Sequence, residues 1–421
     1  MQSGGPTGRG KSDILVGMAP GTNPPPAPLL RTFFDPAHPL ELKAGGGGIS
    51  GPGVYFDPIP LESYTALPDA VVAGPGAVRI PFDPEAALNH LVLETGPEEL
   101  RPFYTYSPFE SHMVPATVRW LLLRMDVRQR LLSRTAFPRW PAEPSAENIR
   151  ALVLDAFSRS GNPVRPAPFW PDGRKYAAAL THDIDSVDAW KHGLWKPFAE
   201  LEEAHGLRSS WHVCTSHMKW AERAVEELAG RGHEIAWHGP RHDYRLAWMP
   251  ARERAAALEQ AAPLFARFRI RGFRSPNYLR TSALFSSLEG ILGYDSSSMD
   301  TAAEPFHPRT RTGCSTVFPF FRGNLLEMPI TIPDGLTIRC LAGEDADSIS
   351  SVQAAKIEWI KSVGGLALAI SHPEKWISLK PAAFRAYQRL VEKISGDASA
   401  WKVLPREIEA WWRKRHSVPA P

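Results

Sequence analysis

From about residue 165 to its end, the chain repeats one unit, in which an apolar strand is followed by a loop and an amphipathic helix. The segment KYAAALTHDID is typical of a buried strand, WKPFAELEEAHG of a helix and LRSSWHVCTS of the next strand. The same order continues through HEIAWH, RGFRSP, GYDSSSM, LLEMPITI and LALAISHP. This alternation predicts an α/β fold with a largely parallel sheet, open or closed into a barrel. Ligands of such folds bind beyond the carboxyl ends of the strands.

The N-terminal part of the chain has a different pattern. Residues 1–30 are rich in Gly, Pro and Ser, which predicts a flexible tail because such a segment buries little apolar surface. Residues 31–160 contain short strand-like segments, such as GPGVYF and GAVRIPF, and helical pieces interrupted by proline. We interpret residues 31–160 as an accessory region that packs on a catalytic domain formed by residues 161–416.

Composition limits the possible partners and the compartment. Hydrophobic residues make up 43% of the chain, which is enough for a buried core, and the net charge of +3 forms no basic stripe with interleaved aromatic residues. We therefore expect no nucleic-acid partner. The three cysteines, Cys214, Cys314 and Cys340, are isolated from one another, which favours a reducing compartment. Because neither a secretory signal nor a membrane span is evident, we expect a soluble cytoplasmic protein; its oligomeric state stays open.

Two aspartates, Asp183 and Asp185, end the first strand of the predicted catalytic domain. Because side chains alternate along an extended chain, both carboxylates point to the same side. Two carboxylates at one strand end repel each other unless a cation or an arginine lies between them. The alternative is a solvated turn, or a helix cap formed by Asp185 or Ser186.

Two histidines, His238 and His242, follow another strand in the segment HEIAWHGPRH. Pro240 suits the first turn of a helix, which predicts that His242 lies just inside such a turn. Two imidazoles four residues apart at a loop-to-helix turn can converge on one metal ion. The alternative is a pair of unrelated polar histidines, but the upstream aspartates favour the metal site.

Arg274 and His372 occupy two further strand ends. The proline at position 276 forces Ser275 into an extended conformation, so the guanidinium of Arg274 can be fixed where it matches the carboxylate of Asp183 and keeps it ionised. His372 follows the apolar segment LALAIS and could protonate a leaving amine. A surface arginine and a capping or buried histidine are the alternatives.

Three other polar residues lie near predicted strand ends. Asp295 and Asp300, in GYDSSSMD, could pair with His372 or with Arg274, and the sequence does not decide between these pairings. His212, on the second strand, could point inward and contact a substrate, although a structural role is the simpler expectation.

Taken in order, THDIDS, HGPRH, FRSP, YDSSSMD and ISH resemble the five motifs of the polysaccharide deacetylase family, which is defined by NodB homology. The resemblance covers roughly residues 170–415. It implies a distorted (β/α) barrel with fewer strands than the eight-stranded form, and a metal-dependent deacetylase activity. It also implies roles for the motif residues: Asp183 as general base, Asp185, His238 and His242 as metal ligands, Arg274 as the residue that tunes the base, His372 as general acid, and Asp300 as the residue that orients this acid.

Further contacts are predicted from the chemistry of the site and from departures from the family pattern. A backbone N–H such as that of Tyr278 would stabilise the oxyanion. Trp376, close to His372 in the sequence, could stack against a sugar ring, with core or interhelix packing as the alternative. His182 replaces the customary aromatic residue and is a candidate substrate contact. Ile184 separates two aspartates that are usually adjacent, which leaves their division of labour open. Gly239 replaces the usual Ser or Thr after the first histidine, so one secondary contact is missing.

The predicted cofactor is one divalent metal ion, with zinc as the first expectation and manganese, cobalt or iron as alternatives. The predicted reaction is removal of an N-acetyl or other N-acyl group from an amino sugar of a bacterial glycan or glycan precursor. An amidohydrolase of the same fold, acting on a small non-sugar amide or a cyclic imide, is the second interpretation. A non-catalytic carbohydrate-binding module is the third.

Overall fold

The fold is described from a computed structural model. The structure describes residues 41–45, 49, 51–63, 67–94, 101, 117–118, 121, 125, 138–162, 169–301, 313–334, 337–339 and 343–421. The predicted flexible tail at residues 1–30 lies outside the described residues. Among the helices of the described part, none combines the length and the apolar character that crossing a bilayer requires.

A parallel sheet forms the centre of the C-terminal part. The bounds of its strands are β5 Tyr176–Asp183, β6 Ser209–Val213, β7 Glu234–Trp237, β8 Gly272–Phe273, β9 Tyr294–Asp295, β10 Phe320–Arg322, β11 Leu325–Glu327, β12 Leu366–Ser371 and β13 Ala400–Lys402. The parallel strands follow the order β11, β9, β8, β7, β6, β5 and β12, while β10 pairs antiparallel with β11 and β13 pairs with β5.

The two edges of this sheet meet beyond the regular strands. The chain that continues from β9 pairs with the chain that continues from β11 through a bridge between Met299 and Ile330. Ile332 then pairs with Ala369 of β12, and the backbone N–H of Ile370 donates to the carbonyl of Ile332 at 3.0 Å. The sheet therefore curls into a barrel of seven parallel strands within the described residues. The predicted distorted (β/α) barrel is confirmed.

Helices alternate with the barrel strands as the sequence pattern predicts. Their bounds are Val187–Lys191, Lys196–Ala204, Met218–Gly230, Ala251–Phe268, Ser282–Leu288, Ala346–Val363, Pro381–Gly396 and Pro405–His416. Side-chain caps fix several helix starts, because the first N–H groups of a helix need acceptors. The hydroxyl of Ser186, directly after Asp185, caps the first of these helices by accepting from the N–H of Ala189. The turn after β5 is therefore fixed close to the candidate site.

The interior of the barrel is filled below its carboxyl end. A Cβ atom at Gly272 would lie 2.0 Å from the ring of Tyr294, so only glycine allows this ring to cross β8. The hydroxyl of Tyr294 donates to Oε1 of Glu234 on β7 at 2.8 Å. This packing closes the barrel from below and leaves the carboxyl ends of the strands as the open rim.

Within the described residues, the N-terminal region contains a smaller sheet and helices that follow it. Its strands are β1 Leu42–Ala44, β2 Gly53–Phe56, β3 Val71–Gly74 and β4 Ala77–Ile80, in the order β1, β2, β4, β3, and its helices are Pro84–Val92 and Ser145–Arg159. The buried carboxylate of Glu94 accepts from Nε of Arg280 at 2.9 Å and from the N–H of Gly313 at 3.0 Å. Apolar residues of this sheet, of its helices and of the barrel belong to one continuous core.

Candidate active site

The carboxyl ends of the parallel strands lie together at one rim of the barrel. In the register of β5, Asp183 is opposite His212 of β6, and His182 is opposite Ser371 of β12. Residues that directly follow these strands, such as Asp185 and His372, therefore reach the same rim. This is where α/β folds bind their ligands.

Asp185, His238 and His242 form a group whose potential ligand atoms all lie within 4.8 Å of one another. Nε2 of His238 lies 3.4 Å from Oδ1 of Asp185, and Nε2 of His242 lies 3.1 Å from the same oxygen. Atoms that bind one ion at about 2.0–2.2 Å lie roughly 3–3.5 Å apart. A possible metal site built from one aspartate and two histidines is therefore present.

The hydrogen bonds around this group leave lone pairs that face one another. Nδ1 of His238 donates to the carbonyl of Arg274 at 2.8 Å, so the neutral ring carries its lone pair on Nε2, toward Asp185. Oδ1 of Asp185 is buried and receives no hydrogen bond within the described residues. Facing lone pairs repel each other unless a cation lies between them, so this set of donor atoms fits a divalent metal ion.

The backbone that carries the two histidines differs from the predicted helical turn. Residues 238–245 form an irregular loop, followed by a 3-10 turn at Leu246–Trp248. The prediction that His242 lies in the first turn of a helix is wrong, because the next helix begins at Ala251. Gly239 has a φ of 84°, a conformation that glycine adopts without strain, and it provides the bend between the two ligands.

Asp183 lies beside the candidate ligands and is buried. Nη1 of Arg274 donates to Oδ1 of Asp183 at 2.8 Å and to the hydroxyl of Thr181 at 3.0 Å. The other guanidinium nitrogens donate to the carbonyl and the hydroxyl of Ser296. Burial by itself would raise the pKa of Asp183, but the charges of Arg274 and of the nearby histidines hold it well below its usual value. Arg274 thus contacts Asp183 as predicted, although through one nitrogen and not as a fork.

His372 faces both aspartates across the rim. Its Nε2 lies 3.9 Å from Oδ2 of Asp185 and 4.0 Å from Oδ2 of Asp183, and its Nδ1 lies 2.6 Å from Oδ2 of Asp334. Burial lowers the pKa of His372, but the charge of Asp185 and the hydrogen bond to Asp334 outweigh this effect and raise the pKa to about 10. The ring is therefore protonated at neutral pH, with Nε2 turned toward the carboxylates.

Asp334 takes the position that was predicted for Asp300 or Asp295. Asp300 instead binds Nζ of Lys356 at 2.8 Å, and Asp295 accepts from the hydroxyl of Ser297 at 2.7 Å. The prediction that Asp300 orients His372 is therefore wrong. The sequence contains a signal for Asp334, since this residue directly follows the strand-like segment LLEMPITIP, as His372 directly follows LALAIS.

His182 lies on the opposite face of β5 from Asp183, as the alternation of a strand requires. Its Nε2 lies 2.6 Å from Oε1 of Glu202, and its Nδ1 lies 2.7 Å from the hydroxyl of Ser371. Its ring stacks on Trp211 with centroids 4.0 Å apart. The prediction that His182 contacts substrate is wrong, because both of its nitrogens are used in a fully buried cluster outside the barrel.

Tyr278 follows Arg274 in a short 3-10 turn, Pro276–Tyr278. Its backbone N–H donates to the carbonyl of Ser275 at 2.9 Å, so the prediction that this N–H binds an oxyanion is wrong. Its side chain is buried, and burial together with the charges of Asp334 and Asp183 raises the pKa of its phenol well above the usual value. The side chain of Tyr278 therefore lies within electrostatic reach of the site, where a substrate contact remains a prediction.

Trp376 and His212 complete the set of predicted contacts. Trp376 is half-buried in the turn that follows His372, and its role as a sugar platform remains a prediction. His212 points toward the site, with Nδ1 3.2 Å from Oδ1 of Asp183.

No protein-family model and no curated protein matches the chain. Among solved structures, the chain is similar to a protein assigned as a polysaccharide deacetylase from Mycobacterium smegmatis, with 17% identity, a TM-score of 0.47, and coverage of 60% of this chain and 95% of that one. It is similar to a protein assigned as a polysaccharide deacetylase from Pseudomonas aeruginosa PAO1, with 15% identity, a TM-score of 0.48, and coverage of 62% and 98%. It is also similar to the allantoinase PuuE, with 15% identity, a TM-score of 0.48, and coverage of 62% and 97%. These likenesses concern the fold, and we derive the function from the geometry of the site.

Proposed function

We propose that the chain is a metal-dependent hydrolase that removes an N-acetyl group from an amino sugar of a bacterial glycan or glycan precursor. The observation that carries this proposal is that a candidate base and a candidate acid flank one candidate metal site. Oδ2 of Asp183 lies 3.9 Å from Nε2 of the ligand His238 and 4.0 Å from Nε2 of His372. Amide hydrolysis requires these three functions side by side.

Asp183 is the general base in this proposal. Asp185, His238 and His242 would hold a divalent ion, which would supply a Lewis acid that lowers the pKa of water from about 15.7 toward about 7 and polarises an acyl carbonyl. Oδ1 of Asp183 accepts from Arg274 at 2.8 Å, whereas Oδ2 faces the rings of His238 and His372. The arginine keeps the carboxylate ionised, so Oδ2 can take the proton from the attacking water.

His372 is the general acid. Its contact with Asp334 fixes Nδ1, so Nε2 carries the proton that can be transferred. The charges of Asp185 and Asp334 raise the pKa of His372 to about 10. A cation bound by Asp185 would offset part of this negative charge and would lower the pKa of His372 toward neutral pH. Transfer of the proton from Nε2 to the amide nitrogen, as the carbon–nitrogen bond breaks, releases acetate and a free amino sugar.

Zinc is the proposed metal, because one carboxylate and two imidazoles that leave coordination positions open are typical of catalytic zinc. A nucleotide-linked or lipid-linked amino sugar is the proposed substrate, in line with the cytoplasmic location that the sequence predicts. Trp376, in the turn after His372, is the proposed stacking platform for the sugar ring.

The test measures metal content and turnover together. The purified protein is analysed for bound metals, stripped with a chelator and reloaded with zinc, manganese, cobalt or iron. Acetate release is measured from N-acetylglucosamine oligomers and from UDP-N-acetylglucosamine, beside ring opening of cyclic imides. We expect metal-dependent acetate release that falls about 10²–10⁴-fold in Asp183→Asn. Turnover of imides alone would indicate the amidohydrolase, and metal binding without any turnover would indicate a binding module.

A further inference from the structure

His212 has a contact with Asp183 that no role assigned above uses. It is fully buried on β6. Its Nδ1 lies 3.2 Å from Oδ1 of Asp183 and 3.3 Å from the carbonyl oxygen of His182. Both neighbours are acceptors, so the proton of the ring lies on Nδ1 and is directed at the two oxygens.

The surroundings of the other ring nitrogen agree with this tautomer. With the proton on Nδ1, Nε2 is an acceptor, and it is buried without a hydrogen-bond partner in the part of the chain that the structure describes. An unpaired buried acceptor is unfavourable. The side chain therefore gains its polar contacts through Nδ1.

The two oxygens of Asp183 have different surroundings. Oδ1 faces Nη1 of Arg274 at 2.8 Å and Nδ1 of His212 at 3.2 Å, two donors that come from different strand ends. Oδ2 lies 3.9 Å from Nε2 of His238 and 4.0 Å from Nε2 of His372, and both distances are too long for a hydrogen bond. A carboxylate held through one oxygen by two donors cannot rotate to exchange its oxygens without losing both contacts.

We propose that His212 is a positioning residue for Asp183, which holds Oδ1 together with Arg274 so that Oδ2 is the oxygen that receives the proton of water. This inference rests on the proposed function, in which Asp183 is the base. His212 itself transfers no proton and binds no metal. Its loss therefore lowers kcat, because the orientation of the base matters in the transition state, and leaves KM and metal binding unchanged.

Three substitutions at position 212 test whether the N–H donor must lie at the place of Nδ1 or whether any donor there is sufficient. His212→Asn keeps an amide N–H near the place of Nδ1, His212→Gln moves the amide toward the place of Nε2, and His212→Leu removes the donor. In the zinc-loaded protein, we expect kcat to fall about 10–100-fold in the Gln and Leu variants and to recover to within about threefold of wild type in the Asn variant. KM, zinc affinity and the thermal midpoint serve as controls, because a merely structural role would change the midpoint and would not distinguish Asn from Gln. Wild-type kcat in His212→Leu, or equal losses in the Asn and Gln variants, would overturn the proposal.

A spectroscopic measurement tests the contact without relying on turnover. In zinc-loaded protein labelled with ¹⁵N-histidine, the signals of His212 are assigned with His212→Asn. We expect the pattern of the Nδ1–H tautomer, and a shift of the Nδ1 signal in Asp183→Asn. The Nε2–H tautomer would overturn the inference even in an active enzyme. Failure of wild type to hydrolyse any N-acetyl substrate, while the tautomer and its dependence on Asp183 hold, would instead overturn the proposed function and with it the catalytic purpose of the contact.

Discussion

Two neighbouring residues of β5, His182 and Asp183, belong to two polar clusters of opposite character. The outer cluster consists of His182, Glu202, Ser209, Ser371 and Tyr387 and lies between the sheet and the surrounding helices. The inner cluster consists of Asp183, Asp185, His238, His242 and His372 and lies at the rim of the barrel. Both clusters combine buried carboxylates with imidazoles, so composition alone does not tell them apart.

The outer cluster satisfies its own polar atoms. Oε1 of Glu202 accepts from the hydroxyl of Tyr387 at 2.5 Å and lies 2.6 Å from Nε2 of His182, while Oε2 accepts from the hydroxyl of Ser209 at 2.5 Å. Ser371 occupies the remaining nitrogen of His182. Such a closed network stabilises the junction of strands and helices and has no need of a ligand.

The inner cluster leaves atoms unsatisfied. Within the described residues, Oδ1 of Asp185 receives no hydrogen bond, and Oδ2 of Asp183 lies 3.9 Å and 4.0 Å from the Nε2 atoms of His238 and His372. Buried polar atoms without partners are rare in folded proteins and need a reason, such as a bound ion or a catalytic role. The two clusters therefore differ in whether their lone pairs are satisfied, and not in whether they combine histidines with carboxylates.

The largest expected effect comes from Asp185→Asn, which removes a charge from the inner cluster. Because the carboxylate is one of three candidate ligands, we expect zinc affinity to fall steeply and kcat/KM to fall about 10³-fold. Metal analysis and acetate release measure the two effects. Asp188→Asn, an exposed change three residues further along, is the matched control and should behave as wild type. Full zinc occupancy in Asp185→Asn would contradict the assignment of this ligand.

The second-largest effect is expected when Asp334, the partner of the proposed acid His372, is changed. In Asp334→Asn, Nδ1 of His372 keeps an acceptor of the same size but loses a negative charge. Since Asp185, Asp334 and Asp183 all raise the pKa of His372, the substitution should lower it. The proton is lost as pH rises through this pKa, so the fall of kcat at alkaline pH should move to lower pH. We also expect a loss of about 10–100-fold in kcat at pH 8.

The control for this change is Asp347→Asn, which alters an aspartate whose side chain is 86% exposed. It should leave the pH–rate profile unchanged. An unshifted alkaline limb in Asp334→Asn would show that His372 is not the group whose protonation sets that limb.

The alternation of side chains along β5 predicts more about the site than the motifs do by themselves. Because positions 183 and 185 share a face, position 182 must point the other way, and the same rule that joins the two aspartates excludes His182 from the rim. The family resemblance favoured a substrate contact for His182, and the elementary geometry of a strand decides against it.

Other features of the site depend on tertiary packing. Asp334 reaches His372 because the chain after β11 crosses to β12 through the bridge between Ile332 and Ala369, a pairing that no local pattern indicates. The N–H of Tyr278 is lost to its own turn, in which Asn277 and Tyr278 have φ values of 53° and 57°. Asparagine adopts a left-handed conformation comparatively often, but tyrosine does so rarely, so the side chain of Tyr278 does not predict this turn.

A third prediction tests the outer cluster through Glu202→Gln. We expect kcat to change less than threefold, because the cluster lies on the other face of β5, but stability to fall by about 3 kcal/mol, because a buried, hydrogen-bonded carboxylate is lost. Burial by itself would raise the pKa of Glu202, but its contacts with His182, Ser209 and Tyr387 outweigh this effect and lower the pKa. The stabilisation is therefore present above the pKa of the unfolded side chain and is lost as pH falls through the folded value. The difference between variant and wild type in the free energy of unfolding should therefore shrink in acid.

Chemical denaturation at several pH values measures this difference, with the exposed change Glu200→Gln as the control. A large loss of kcat at unchanged stability would mean that the outer cluster takes part in the chemistry, and the contrast between the two clusters would fail.

The smallest effect on activity is expected for Asp300→Asn. Asp300 binds Lys356 and has no contact with His372, so kcat should stay within about twofold of wild type, well above that of Asp334→Asn. Burial raises the pKa of Asp300 to about 6, despite the opposing effect of Lys356. The folded chain therefore binds this proton more tightly than the unfolded chain, and the wild type loses stability as pH rises from about 4 to about 6. The variant should lack this part of the pH dependence, which denaturation across that range measures. A loss of kcat as large as that of Asp334→Asn would instead identify Asp300 as the partner of His372 and would add Asp300 to the inner cluster.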